Sequence, residues 1–281
     1  MKTWLGGATK SKLFIVGAAL MIALQPIYSV MIAPDVHVST VSPDTMNGWM
    51  ALDDNGQGGS LDFTNNLGKI GTGSAQLKVS TAGQGYMLYK PAYRKMKLAD
   101  ITVLAYDTYI QAGNNTIAPA LQFNIDKDVN DVDLNWQGRL VYEPYRNGNV
   151  VDGQWQAQNP LSGKWWFSKP ASFDGNCPQS SPCTLDTIKS LYENIGILDT
   201  DGGGVGFKAG SGWNTPFVGN VDNFVINSDV YDFEAIAAPQ LESPANNVPV
   251  QGATLINKWL PVNGAAKYKY ESYHNATANN D

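Results

Sequence analysis

The chain has 281 residues, 43% of them hydrophobic and only 16% charged, with 8 Trp, 13 Tyr and 28 Gly. Low charge with abundant Tyr, Trp, Asn and Gly disfavours a helical bundle and favours short strands joined by many turns. The net charge of −6 argues against nucleic acid as a partner, and the two His, His37 and His274, lie near the ends of the folded part, which excludes a His-centred triad or a multi-His metal site in the main domain.

Residues 1–12 carry Lys2, Lys10 and Lys12 and no acid. Residues 13–24 are all apolar or small, and Gln25-Pro26 ends the run. This is the layout of a secretory signal peptide over 1–29, with cleavage after Ser29. Counting the apolar stretch on to Ala33 gives 21 residues, long enough for an uncleaved anchor instead. On either reading the rest is exported, to a secreted or cell-surface location. Membrane contact is then confined to this segment.

Residues 30–46, with Pro34 and Pro43, read as an extended lead-in. From 47 to 234 short strand-type runs alternate with turn clusters. They are WMALDD (49–54), SAQLKVS (74–80), GYMLYK (85–90), ITVLAYDTYI (101–110), APALQFNID (118–126), WQGRLVYEP (136–144), VVDGQWQAQ (150–158), WWFS (165–168), VGFKAG (205–210) and FVGNVDNFVIN (217–227). Strands at this spacing predict an all-β antiparallel sandwich. One segment breaks the period of two. Leu185, Ile188, Leu191, Tyr192 and Ile195 fall at helical spacing behind Thr184, a suitable N-cap, and predict a short helix over 185–193. Cys177 and Cys183 enclose five residues, two of them Pro, and in an oxidising compartment predict a local disulfide.

After Glu234 the composition changes to a Pro, Ala and Asn linker, followed by Trp259, Pro261, Gly264, Ala265, Tyr268 and Tyr270 in the pattern W-x-P-x-x-G-A-x-x-Y-x-Y. This resembles the first half of a fibronectin type III-like domain. Residues 235–281 are therefore read as a linker and a truncated unit of that kind, too short to close its own core.

Three motifs in 47–234 resemble a carbohydrate-binding-module type of β-jelly-roll (galactose-binding or concanavalin-like) from secreted bacterial multidomain surface proteins. They are W-x-x-x-D-D-N-G from Trp49 to Gly56, W-Q-G-R-L-V-Y-E-P from Trp136 to Pro144, and the closing stretch from Gly204 to Ile226. The resemblance implies that Asp222, on a closing V-D-x strand, helps hold a structural calcium. Asp53, Asp54 and Asn55 supply further hard oxygens if the first and last strands pair. An ordinary solvated turn is the alternative for Asp53-Asp54-Asn55-Gly56. Asp126, Asp128 and Asn130 match the opening of an EF-hand loop, but Asp131 and Gln137 break the match, so an acidic hairpin loop comes first there.

Sugars present apolar C–H faces and hydroxyls, which flat rings and a few polar groups hold. Tyr142, Tyr145, Trp155, Trp165, Trp166 and Trp213 are the candidate rings, with Glu143 and Arg139 as polar partners. Consecutive Trp165 and Trp166 point to opposite faces of a strand, so one belongs to the core. Trp213, in a Gly-Ser-rich loop, is the leading exposed ring. A compact acidic catalytic motif, a G-x-S-x-G elbow and H-E-x-x-H are all absent. Pairing Glu143 with Asp107 or Asp133 is the remaining hydrolase or lyase alternative. The expectation is a non-catalytic module that binds a polysaccharide or glycan and touches other cell-surface components. No cofactor is required beyond the possible calcium, and a purely structural spacer is the rival. Asn114 and Asn275 carry glycosylation signals that have meaning only in a eukaryotic secretory pathway.

Overall fold

The structure is a computed structural model that describes residues 36–111, 117–213 and 215–235, with the backbone of 241–243 and 258–259. The expected export segment, Asn114, His274, Asn275 and the fibronectin-like motif beyond Trp259 lie outside the described residues. No described helix is long and apolar enough to cross a membrane.

Gly, Asn and Asp punctuate the chain, so its strands are short. In chain order they are β1 (His37–Val41), β2 (Met50–Asp53), β3 (Ser60–Asn65), β4 (Gly73–Val79), β5 (Gly85–Lys90), β6 (Leu104–Ile110), β7 (Ala120–Asp126), β8 (Arg139–Tyr142), β9 (Trp155–Gln158), β10 (Lys164–Phe167) and β11 (Cys183–Thr184). Helix α1 (Leu185–Leu191), β12 (Gly196–Ile197), β13 (Gly204–Gly210), β14 (Phe217–Ile226) and β15 (Asp229–Phe233) follow. Farther on, β16 (Leu241–Ser243) pairs antiparallel with β17 (Lys258–Trp259).

One sheet runs β1-β15-β14-β4-β3, with β6 also on β14 and β9 outside β6. The other runs β11-β10-β8-β7-β13-β5-β2, with β12 on β7. Alternation decides which residues meet between them. On β7, Leu121, Phe123 and Ile125 are fully buried. On β13, Val205, Phe207 and Ala209 are too, and they face the buried Leu77 and Val79 of β4 and Phe224 and Ile226 of β14 in one core cluster. Trp49 meets Phe224, Tyr231 and Phe233 edge-on and stacks on Phe207 at 6.1 Å. The all-β sandwich, antiparallel but for one strand pair and with one short helix, is thus the observed fold.

Three features depart from the sequence reading. The segment expected as a lead-in contains β1, which pairs in parallel with β15 from His37↔Asp229 to Val41↔Phe233. The helix is shorter than expected. Thr184 caps it, accepting from the Thr187 N–H at 3.2 Å, but Leu191 is 46% exposed and Tyr192 and Ile195 are buried from the turn beyond it. Strand β3 was not expected either, because its burial is only partial and its pattern weak.

Cys177 and Cys183 are joined as expected, with Cα atoms 5.3 Å apart. The bridge fixes the loop before β11, which in turn pairs with β10 through Trp165↔Cys183.

Strand β14 changes partner along one edge, from β4 at Phe217–Val221 to β15 at Phe224–Ile226. Its register against β6 shifts between Asp222 and Val225, where Asn223 adopts φ 51°. Such a bulge leaves ladder N–H groups without carbonyl partners. The fully buried Asp222 carboxylate serves two N–H groups at the bulge and two more in the loop between β3 and β4. One oxygen accepts from the N–H of Asn223 (2.7 Å) and Phe233 (3.1 Å), and the other from Lys69 (2.8 Å) and Ile70 (3.0 Å).

Candidate functional site

The site grows out of the same alternation. Residues between the core positions point away from the core, and register pairs place them side by side. Trp166 of β10 pairs with Val141 of β8, Val141 with Gln122 of β7, Gln122 with Gly206 of β13, and Gly206 with Tyr89 of β5. These five form a row across the outward face of the larger sheet. Arg139 pairs with Asn124 in a neighbouring row, and Lys208 pairs with Ala120.

The glycines of β13 keep the floor flat. A Cβ on Gly206 would meet the Tyr89 ring at 3.0 Å, and one on Gly204 would meet the Tyr89 hydroxyl at 2.6 Å. That hydroxyl donates to the Gly202 carbonyl at 2.7 Å and accepts from Asn124 at 3.0 Å, which fixes the ring along the strand.

Two depressions adjoin on this face and share Gln122, Trp166 and Lys208. One, of about 550 Å³, is bounded by Tyr145, Glu143, Gln179 and Trp213. The other, of about 380 Å³, is bounded by Trp136, Arg139, Asp54 and Lys169. Three tryptophans thus run along one face: Trp213 in the first, Trp166 in both and Trp136 in the second.

Each ring is held in place. The Trp166 indole donates to Glu143 at 2.9 Å, and Glu143 also accepts from Arg146 at 2.7 Å. Trp213 packs edge-on against Phe217 at 4.9 Å. Trp136 is 47% exposed, with the Lys169 ammonium 4.0 Å from its ring centroid and its N–H donating to Asn124 at 3.3 Å. Below them Arg139 grips both oxygens of Asp54, and Lys208 joins the same carboxylate. Desolvation pushes the Asp54 carboxyl up, but the bonds and charges of Arg139 and Lys208 outweigh it and bring the pKa down to about 2.

The candidate residues from sequence divide clearly. Trp166, Trp213, Tyr145, Glu143 and Arg139 come together on this face, and Asp54 joins them. Trp165 does not. It is fully buried against Phe123 and Tyr142, with its N–H donating to the Pro160 carbonyl at 2.8 Å. Tyr142 is also core, 2% exposed, because it shares the inward parity of Leu140 on β8. Trp155 lies on the other sheet, tilted against Tyr109 at 5.6 Å. Trp213 is half-buried rather than a free loop ring. Trp136, Gln122, Lys169 and Lys208 were missed. Trp136 sits in an Asp/Asn turn, and Gln122 is the polar residue between Leu121 and Phe123; both were signals.

The proposed calcium ligands are not assembled. Asp53 ends β2 in one sheet and Asp54 follows it, while Asp222 lies in the other sheet. Asp53 accepts from the Gly58 N–H at 2.9 Å and Asn55 from the Gln57 N–H at 3.3 Å, as in an ordinary turn. Asp222 has both oxygens doubly occupied by N–H donors, and Asp54 is neutralised by two cations. These residues do not fit a hard cation, and no group of three acidic, His or Cys side chains suited to a metal exists among the described residues. Near Asp222, burial raises the Asp222 pKa to about 6 against its four N–H donors. Burial, with the charges of Glu234 and Asp222 beside it, raises Asp232 to about 7.

A cleft of about 660 Å³ lies elsewhere, lined by Asp128, Asp131, Asp133 and Glu193 with Lys127 and Tyr192. Its loop is a succession of side-chain-to-backbone turns, such as Asn130 N–H to Asp128 and Asn135 N–H to Asp133, each 3.0 Å, which fits the acidic hairpin loop expected there. Glu143 meets neither Asp107, which is on β6 of the other sheet, nor Asp133, which lines this cleft.

No family model and no curated protein matches the chain. Solved structures similar to it include the family 30 carbohydrate-binding module of a cellulosomal cellulase of Clostridium thermocellum, at 13% identity and a TM-score of 0.37, covering 63% of this chain and 90% of that one. Another is the family 11 carbohydrate-binding module of the same organism, in complex with a β-1,3-1,4-mixed-linked tetrasaccharide, at 15% identity and a TM-score of 0.34, covering 66% and 91%. A tandem pair of family 22 modules from a Paenibacillus barcinonensis protein is similar at 9% identity and a TM-score of 0.33, covering 65% and 46%.

Proposed function

We propose that the outward face of the larger sheet binds a polysaccharide, and that the chain is a non-catalytic binding module of an exported surface protein. The carrying observation is the line of Trp213, Trp166 and Trp136 along two adjoining depressions, with Gln122, Arg139 and Lys208 between the rings. A spacer has no need of three indoles opening onto one face, since Trp136 is exposed and Trp166 and Trp213 are only half-buried, each forgoing part of the roughly 1.5–3 kcal/mol that full burial gives. Flat rings in a row suit successive sugar units, whose C–H faces stack while their hydroxyls reach amide and charged groups.

Both carboxylates of the face are already engaged, Asp54 by Arg139 and Lys208, and Glu143 by Arg146 and Trp166. A carboxyl held near pKa 2 is a poor general acid at neutral pH, which supports binding over hydrolysis.

The test is a glycan array with the exported chain, followed by titration calorimetry with Trp166→Ala on any hit. The expected outcome is a loss of affinity of about tenfold or more, as removal of one stacking ring costs ~1–3 kcal/mol, with the melting temperature nearly unchanged. Absence of any glycan hit favours the spacer, and unchanged affinity of the variant removes this face as the site.

A further inference from the structure

The charge on this face runs against the charge of the chain. The whole sequence is at −6. Yet the depression around Trp136 is lined by Arg139, Lys169 and Lys208 against the single carboxylate of Asp54, a local charge of +2. The neighbouring depression does not cancel it, because its Glu143 is paired with Arg146.

Asp54 does not exhaust these cations. Arg139 spends its donors on Asp54, Asn124 and Gln122, and Lys208 spends one on Asp54, so two of the three Lys208 protons remain for a ligand. Lys169 makes no ion pair among the described residues. Its ammonium rests over the Trp136 ring instead.

A neutral glycan laid over this patch strips water from surplus positive charge and returns no counter-charge. A sugar with a ring carboxylate supplies it, in charge-assisted hydrogen bonds at a site where Trp136 and Trp166 already offer stacking surface.

We infer that the ligand is an acidic polysaccharide bearing ring carboxylates, a polyuronate, and that Lys169 and Lys208 select it. This rests on the proposed polysaccharide-binding face. The overall negative charge repels polyanions at long range, so affinity for one must come from this patch.

The experiment is calorimetry of the exported chain with polygalacturonate, with its methyl ester, with a neutral β-1,4-glucan and with dextran sulfate, at low and at about 0.3 M salt, where the Debye length falls below about 8 Å. The expected result is binding of polygalacturonate about tenfold or more tighter than its methyl ester, a gap that narrows in high salt. Lys169→Gln and Lys208→Gln should each shrink that ratio, with circular dichroism confirming that the variants fold. Equal or tighter binding of the methyl ester or the neutral glucan overturns the charge selection and leaves the polysaccharide-binding reading standing. Dextran sulfate binding as tightly as polygalacturonate, unaffected by Trp166→Ala, overturns it as mere polyanion attraction. If none of the four polymers binds, the inference falls, and the glycan array then decides separately whether the binding face falls with it.

Discussion

Asp54 and Asp222 are the same residue type in the same sandwich, and the molecule uses them in opposite ways. Asp54 lies on the outward face among cations, which keep it ionised with a pKa brought down to about 2. Asp222 lies at the bulge of β14, fully buried, among backbone N–H groups and near other acids, and its pKa is raised to about 6. The first orders the Arg139 and Lys208 side chains on the outward face. The second serves N–H groups at the bulge where β14 changes partner and ties the β3–β4 loop to it. A carboxylate in an Asp-rich chain is thus defined by which donors surround it: four N–H groups fill the lone pairs of Asp222, and two cations already neutralise Asp54.

The largest effect that tests this contrast is at Asp222. Asp222→Ala strands one buried N–H group and three partly buried ones, and a loss of about 3 kcal/mol is expected in urea unfolding. A loss under about 1 kcal/mol would show that the bulge does not depend on the carboxylate. Next comes the disulfide beside the face. Cys177→Ser with Cys183→Ser opens a loop of sequence separation 6, and about 2 kcal/mol should be lost in the chain-entropy account. Gln179 lies in that loop and lines the first depression, so ligand affinity should fall with it.

A smaller effect concerns pH. Asp232 and Asp222 hold protons more tightly folded, near 7 and 6, than their ordinary value of 3.8. The folded state therefore gains stability as pH falls from about 8 to about 5, and the gain levels off near 4, where the unfolded chain also takes up protons. Asp54 acts in reverse, and its contribution is lost as pH falls below 3.8 toward 2. Asp232→Asn should raise the melting temperature at pH 8 and flatten the rise on acidification. A profile of Asp232→Asn that matches the parent chain would remove Asp232 as the source. The smallest expected effect is that of a chelator. Melting with and without it should coincide, and a downward shift would mean that these acids hold a cation after all.

Period two carried most of the fold in the sequence. Leu121, Phe123 and Ile125 announced both the core and, by exclusion, the outward Gln122. The adjacency of Trp165 and Trp166 implied one ring inside and one outside, as found. Tyr142 was misplaced although its parity with Leu140 was available. The meeting of Asp54 with Arg139, 85 positions apart, was not legible, because it depends on strand order across the sheet rather than on any local pattern. The role of Asp222 was hidden for a related reason. A bulge and a change of partner strand leave no signature in composition, and a V-D-N-F stretch reads the same whether it holds a metal or a backbone. β1 was overlooked because its burial alternates only weakly, with Val38 65% exposed.

The parallel pairing of β1 with β15 has a mechanical consequence. Parallel neighbours enter and leave the sheet at opposite ends, so tension applied between His37 and Phe233 pulls the two strands past one another along their length. The five register pairs from His37↔Asp229 to Val41↔Phe233 then share the load at once instead of opening one by one. A pull between these two points therefore loads the β1–β15 ladder in shear rather than peeling it from one end.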